Sequence, residues 1–513
     1  MASFVLLAVC CALFIYKAYK YMFFKPPNCP PGPPRIPVFG SYLIMLLINY
    51  KHLQRSIDWL CQYYKTNILS LYMGDFLTVV ANDSDSVREV MINTKLDGRP
   101  DLPLSQLRNA SSVTKGIFFT MGLYWRDQRR YTLRHLRDFG LGRRFNELEL
   151  DIEAETRQLI EIIKSGPKYA HEKELFDNKM VLCPNIFYPI TANSFLKILC
   201  NERIPRESQS EIFRAAKTGY GFLKHADSFG RLFSFLPWVA KVFPNLSSYT
   251  KLRKLSMSQY DFMKKLIDEQ YETYDENHER HFLDVYFKEM KASQRNKHYK
   301  HADFSYEQLI ITCLDFYQPA SVLSPMTIAF YLRLLILNPH VKKRIQNEID
   351  DVVGRSRLPN LDDRNKLHYT EASIREAFRY ETLIPNGIPR LALEPTQLSQ
   401  YDIPKNCVVM TGLRGAHLDS KRWPDANKFQ PERFLDNEGK LNLKKDHSVP
   451  FGAGKRLCAG ETHARNVMFL TVSAILQNFD ISVPDESKLH RESDFLTGLI
   501  SIVPNFFVKF DTR

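Results

Sequence analysis

Phe451-Gly452-Ala453-Gly454-Lys455-Arg456-Leu457-Cys458-Ala459-Gly460 is the stretch on which the reading of this chain turns. It sets a single cysteine on a glycine-rich loop, with an arginine two positions before it. Glycine admits φ > 0, so such a loop can curl beneath a planar ligand and aim backbone N–H groups at the sulfur. A free cysteine, with a pKa of roughly 8.5, is mostly protonated at neutral pH, whereas a coordinated ferric ion removes the proton outright. A thiolate presented in this way suits a haem iron, onto which it pushes electron density that favours O–O cleavage.

The stretch resembles the haem-binding signature of the cytochrome P-450 superfamily, Phe-x-x-Gly-x-Arg-x-Cys-x-Gly, and matches it at every fixed position. The resemblance extends from about Pro26 to Phe510, and segments such as Leu133 to Gly140 look most like animal microsomal members, insect ones especially. It implies a mainly α fold with small β-sheets (α+β), forming one large helical catalytic domain. It also implies haem b with Cys458 as axial iron ligand, and Phe451, Gly454 and Arg456 as further cofactor contacts. The activity expected of such a protein is insertion of one oxygen atom from O2 into a lipophilic substrate. Electrons would come from NADPH through a flavoprotein reductase, or from a cytochrome b-type donor.

Composition agrees with a globular protein holding a sizeable core: of 513 residues, 44% are hydrophobic and 25% charged. The nine cysteines are odd in number, scattered and free of Cys-x-x-Cys pairs, which points to a reduced compartment rather than a disulfide framework. A net charge of +13 admits nucleic acid, an anionic membrane or an acidic protein as partner. No zinc spacing or aromatic RNA-binding signature supports nucleic acid.

The N-terminus supports a membrane. Ala2 to Tyr16 is predominantly apolar and aromatic, and Lys17, Lys20 and Lys25 follow it. With the lysines snorkelling, residues 1–25 are long enough to span a hydrocarbon layer of roughly 30 Å. Charge after the apolar run, not before it, reads as a retained anchor with the remainder in the cytosol, at the endoplasmic reticulum. Residues 26–40 contain Pro26-Pro27-Asn28-Cys29-Pro30-Pro31-Gly32-Pro33-Pro34, a stiff extended hinge. Residues 41–513 then form the catalytic domain.

Within that domain Leu69 to Ala81 alternates around Gly74-Asp75 and predicts a β-hairpin. Ser305 and Gln308 predict a capping box that opens an apolar helix running to about Asn338. By its place relative to Cys458 this helix resembles the one that crosses the distal haem face in the superfamily.

Glu376 and Arg379 stand three apart in a helical pattern and share a face. Arg433 lies 25 residues before Cys458, where superfamily members place the third member of a buried Glu-Arg-Arg triad. The resemblance therefore assigns Glu376, Arg379 and Arg433 to holding the cysteine loop. It likewise assigns Trp125, Arg129, Arg390 and Arg456 to the haem propionates. Arg126, Arg130, Arg134 and Arg137 fall on another face and form a basic patch suited to an acidic reductase or to solvent alone.

One segment departs from the superfamily. The distal helix of a monooxygenase ordinarily carries an acid-alcohol pair for proton delivery, and here Val322 and Leu323 occupy those places. Neither side chain can carry a proton. Pro319 and Pro325 remove two helical N–H donors, freeing the carbonyls of Asp315 and Ser321 and predicting a kink. Ser321 or Ser324 remains as a possible hydroxyl.

Three readings follow: a monooxygenase with another proton route, a reductase-independent hydroperoxide isomerase or dehydratase, or a haem-binding protein of low turnover. Apolar substrate contacts are expected at Leu104 to Phe118, Phe316 to Ser324, Ile384 to Ile388 and Leu496 to Leu499. A different class, a tethered protein using Cys458 for zinc or redox chemistry, lacks the clustered ligands or the resolving thiol it would need.

Overall fold

Ile68–Met73 (β1) and Phe76–Ala81 (β2) form the expected hairpin, with registers running from Ile68 opposite Ala81 to Met73 opposite Phe76. The turn needs Gly74, whose φ is +58°. β2 continues in parallel with Val408–Thr411 (β4), which pairs antiparallel with Arg390–Leu391 (β3). This sheet positions the site, because Gly98 bridges Leu391 and so draws Asp97 and Arg99 towards Arg390.

The computed structural model describes every residue except Met1, 112, 227–231, 296–302, 487–488, 490–495 and 498. The fold is mainly α with small sheets. A second four-stranded sheet joins Phe176–Asp177, Met180–Cys183, Phe506–Thr512 and Phe479–Ser482.

The chain opens with Ala2–Phe23 (α1), and the helices around the site are Ser84–Ile92 (α2), Gly122–Asp138 (α3), Tyr188–Cys200 (α4), Ser210–His225 (α5) and Tyr249–Glu272 (α6). The distal helix follows as Tyr306–Gln318 (α7) and Ser324–Leu337 (α8), then His368–Tyr380 (α9) and Glu461–Asn478 (α10). One large apolar core contains residues from α4, α7, α8, α9 and α10.

The proline-rich segment does more than space. Ser70 N–H donates to the Pro31 carbonyl (2.9 Å) and Ser70 Oγ to that of Pro30 (2.6 Å). Lys25 Nζ reaches the Gly32 carbonyl at 2.8 Å. The segment thus covers the open edge of β1, and a Cβ at Gly32 would collide with the Ser70 carbonyl. Arg35 pairs with Asp75 and lies 4.0 Å from the Tyr21 ring at the end of α1.

Tyr306–Leu337 is long and apolar enough to cross a membrane, yet 78% of its most apolar window is buried inside the protein. Ser305 caps it, its Oγ accepting from Gln308 N–H at 3.3 Å. Only half of the predicted box forms. The Gln308 side chain turns away, accepting from Gly116 N–H (2.8 Å) and donating to Thr312 Oγ1 (3.2 Å). The two prolines resolve into a π-turn at Pro319–Leu323, in which Ser324 N–H bonds the Pro319 carbonyl five residues back. Widening by one residue lets the axis continue past donors that proline cannot supply.

Candidate active site

Gly452 (φ +75°) and Gly454 (φ +68°) fold the cysteine loop back on itself. Cys458 N–H donates to the Phe451 carbonyl at 2.9 Å, and Leu457 N–H to that of Gly454 at 3.1 Å. A Cβ on Gly454 would strike the Met91 carbonyl of α2, so glycine alone lets loop and helix approach. The Phe451 ring meets Phe378 of α9 edge-on at 5.1 Å.

Cys458 keeps surface accessibility while heavy atoms crowd around it. That burial pushes its thiol up, against backbone N–H donation from Gly460 and Glu461 and the charge of Arg129. A thiolate here therefore calls for a cation on the sulfur.

Beside the loop lies a concentration of positive charge. Arg456 stacks 3.7 Å from the Trp125 ring, donating from Nε to the Asp97 carbonyl (3.0 Å) and from Nη2 to that of Thr120 (2.9 Å). Arg129 Nη2 donates to the Leu457 carbonyl at 2.5 Å. Arg390 Nη1 holds the Asp97 carboxylate at 3.0 Å, and Arg99 is tied to the carbonyls of Phe118 (3.2 Å) and Pro389 (3.1 Å).

Burial, aided by Arg456 and Arg390, drives Arg99 well below its ordinary range. Burial also brings Arg456 down to about 9. Among the described residues Asp97 is the one carboxylate ion-paired within this group. The indole N–H of Trp125 is buried without a partner. Uncompensated guanidinium charge and an idle donor beside the Cys458 loop fit the two propionates of haem b.

Behind the loop, Glu376 and Arg379 form a bidentate pair, Nε to Oε2 and Nη2 to Oε1 at 2.7 Å each, fully buried. Glu376 Oε1 also accepts from Arg433 Nε (3.3 Å) and Gln430 N–H (2.9 Å). Arg379 continues to the carbonyls of His417 (2.8 Å) and Ala426 (2.9 Å), and Arg433 to those of Pro424 and Asp425.

Around the π-turn, Val322 and Leu323 join an apolar cluster with Leu104, Leu107, Phe222, Leu223 and Met326. Ile384 and Leu499 belong to it, so the four expected substrate segments each contribute, although residue 498 lies outside the described residues. Ser321 is buried elsewhere. The neighbouring Tyr317 ring packs 5.4 Å from Phe262 of α6. Ser321 Oγ donates back to the Gln318 carbonyl at 3.5 Å. Ser324, half-buried, begins α8.

Comparison with known proteins decides the family: the Cytochrome P450 model matches residues 30–510. The chain belongs to the cytochrome P450 family. It is 29% identical to "Farnesoate epoxidase" of Bombyx mori over 485 residues, covering 94% of each chain. It is 28% identical to "Cytochrome P450 2C8" of Homo sapiens over 516 residues (99% of each), and 31% identical to "Cytochrome P450 2C39" of Mus musculus over 492 residues (94% of each). As a P450 it is a haem-iron monooxygenase with haem b as cofactor, a lipophilic substrate and a redox partner.

The P450 site also contains residues that the motifs pass over. Asp97 and Arg99 are drawn in by the Gly98 bridge, and only the proximity of that short Asp-Gly-Arg-Pro turn to α2 hints at them. Asp315 is a second. Its Oδ2 accepts from the N–H groups of Ile117 (2.6 Å) and Phe118 (3.0 Å), and its Oδ1 meets Arg108 Nη1 at 2.6 Å, with both side chains buried. A lone carboxylate in an apolar helical run was the available signal. Phe222 and Leu223 of α5 had none.

Proposed function

We propose that this P450 inserts one atom of O2 into an apolar, lipid-like substrate, using electrons from NADPH delivered by a flavoprotein reductase at the endoplasmic reticulum membrane. The observation that carries the reading is Cys458 on its curled loop beside a cluster of arginines short of counter-charge. Haem b, when bound, supplies the activation of dioxygen.

The chain's own residues hold and shape that cofactor. Cys458 would bind the iron through sulfur, and Trp125, Arg129, Arg390, Arg456 and Arg99 would hold the propionates. Phe451 and Gly454 would lie against the bound cofactor. Glu376, Arg379 and Arg433 lock the polypeptide behind the loop. The apolar cluster around Val322 excludes water and receives a terpenoid, steroid or fatty-acid-like substrate. Farnesoate, named for the Bombyx mori relative, belongs to this range. Ser321 Oγ donates back to the Gln318 carbonyl within its own helix, so protons arrive through Ser324, water or a hydroxyl of the substrate.

α1, 22 residues and about 33 Å long, supplies the anchor of residues 1–25, and residues 26–40 fix the attitude of the 41–513 domain. Arg126, Arg130, Arg134 and Arg137 are all exposed and offer the reductase a basic face, with a cytochrome b-type donor as a second user.

The absence of an acid-alcohol pair at Val322 and Leu323 favours one other reading, a hydroperoxide isomerase or dehydratase that needs neither reductase nor proton relay. Turnover under isotopic dioxygen with NADPH and reductase separates the two. Label in the product is expected, and unlabelled product would refute the monooxygenase reading. In the same assay Val322→Glu/Leu323→Thr should lower peroxide release per NADPH severalfold, because it restores groups able to pass protons.

A further inference from the structure

His417 is fully buried between α9 and the approach to the cysteine loop, and none of the roles above uses it. Its Nε2 accepts the backbone N–H of Val449 at 3.0 Å. Since that N–H can only donate, the ring proton sits on Nδ1, which faces Thr382 Oγ1 at 2.8 Å. The Thr382 hydroxyl donates to the Arg379 carbonyl at 3.1 Å, and the His417 carbonyl accepts from Arg379 Nη1 at 2.8 Å. Imidazole, hydroxyl and guanidinium therefore close a ring of satisfied bonds around the end of α9.

Beyond Val449 the connection continues to the metal ligand. The Val449 carbonyl accepts from Gly452 N–H at 3.0 Å, and the Phe451 carbonyl accepts from Cys458 N–H at 2.9 Å. We propose that His417 is a positioning residue for the thiolate: it fastens residue 449 to the frame of α9 and so sets where Cys458 stands beneath the haem iron. The proposal rests on the haem-thiolate reading given above.

Neutral imidazole is the form this role requires, because a second ring proton would face the Val449 N–H. Burial first, then the charge of Arg379, brings His417 down to about 3, with Asp446 acting the other way. Asp446 is itself held by Arg375 at 2.7 Å and by Ser448 N–H at 3.0 Å.

Two substitutions divide the imidazole into halves. A glutamine amide ends near the position of Nε2 and retains an acceptor for Val449. An asparagine amide ends near Nδ1, retains the Thr382 contact and leaves the Val449 N–H buried without a partner. The test compares full-length, haem-quantified wild type with His417→Asn, His417→Gln and Thr382→Val, reading the ferrous–CO Soret band and the midpoint potential.

The expected result is a severalfold larger thiol-ligated fraction in His417→Asn, with His417→Gln and Thr382→Val matching wild type. A purely structural role would lower haem content in both histidine variants alike without exchanging one ligand form for the other. The proposal is overturned by a wild-type Soret band and potential in haem-loaded His417→Asn, or by equal thiolate loss in His417→Gln. If His417→Asn takes up no haem, a wild-type band in His417→Gln upholds the proposal and loss of that band with Thr382→Val intact overturns it. A wild type without any thiolate band overturns the haem-thiolate reading itself.

Discussion

Glu376 accepts four hydrogen bonds, three from guanidinium groups and one from the backbone N–H of Gln430. Removing the carboxylate strands Arg379 in a fully buried position, at a cost of roughly 3–5 kcal/mol. Glu376→Ala is therefore expected to accumulate without haem, read as the loss of Soret absorbance per mole of protein. A soluble, haem-replete variant would contradict the role given to the triad. This pair was legible in the sequence because its members are three residues apart on one helix and the family resemblance sets them beside Arg433. Arg99 was not, since its partners are the carbonyls of Phe118 and Pro389, and the second lies 290 residues away. No local period encodes a contact of that separation.

The distal helix shows the same division at the scale of an element. Its start at Ser305, its end before Pro339 and the disturbance between Pro319 and Pro325 all follow from capping and from missing N–H donors. The form of the disturbance, a π-turn, depends on neighbours that no propensity describes. The Gln308 side chain likewise abandons the expected cap because Gly116 offers a buried backbone donor.

Asp315 is where helix and loop depend on each other. Asp315→Asn leaves an acceptor for Ile117 and Phe118 but removes the counter-charge of buried Arg108, again roughly 3–5 kcal/mol. Residues 107–118 should then be cleaved at least tenfold faster in limited proteolysis while the cysteine loop still retains haem. Unchanged cleavage would mean that the ion pair does not hold this segment.

Three buried histidines make a prediction for the whole molecule. Burial, in each case the leading cause, brings His281 to about 4, His417 to about 3 and His463 to about 4. All three are depressed in the folded state, so the unfolded chain binds protons first as pH falls below about 6.5. Their stabilising contribution is complete above that value and declines through the window down to the folded pKa values. The slope reaches about 1.4 kcal/mol per pH unit for each histidine. The urea midpoint should accordingly be flat above about pH 7 and fall steeply towards pH 5; a midpoint unchanged across this range would contradict the burial of these rings as neutral groups.

At this scale the fold class and the family were legible because one loop motif carries them. The docking of the proline-rich segment on β1 was not, as Pro30 and Pro31 present only carbonyls and their acceptance by Ser70 is a matter of tertiary placement.

The bond from Arg456 to the Asp97 carbonyl joins residues 359 positions apart. During synthesis the chain thus acquires Trp125, Arg99 and Arg129 hundreds of residues before Cys458 emerges. Most of the arginine cradle is thus made long before the cysteine loop that completes it. Until both halves meet an anion, Arg99, Arg390 and Arg456 face one another with Asp97 alone among the described residues to offset them, so the cofactor that completes the cradle also relieves its repulsion.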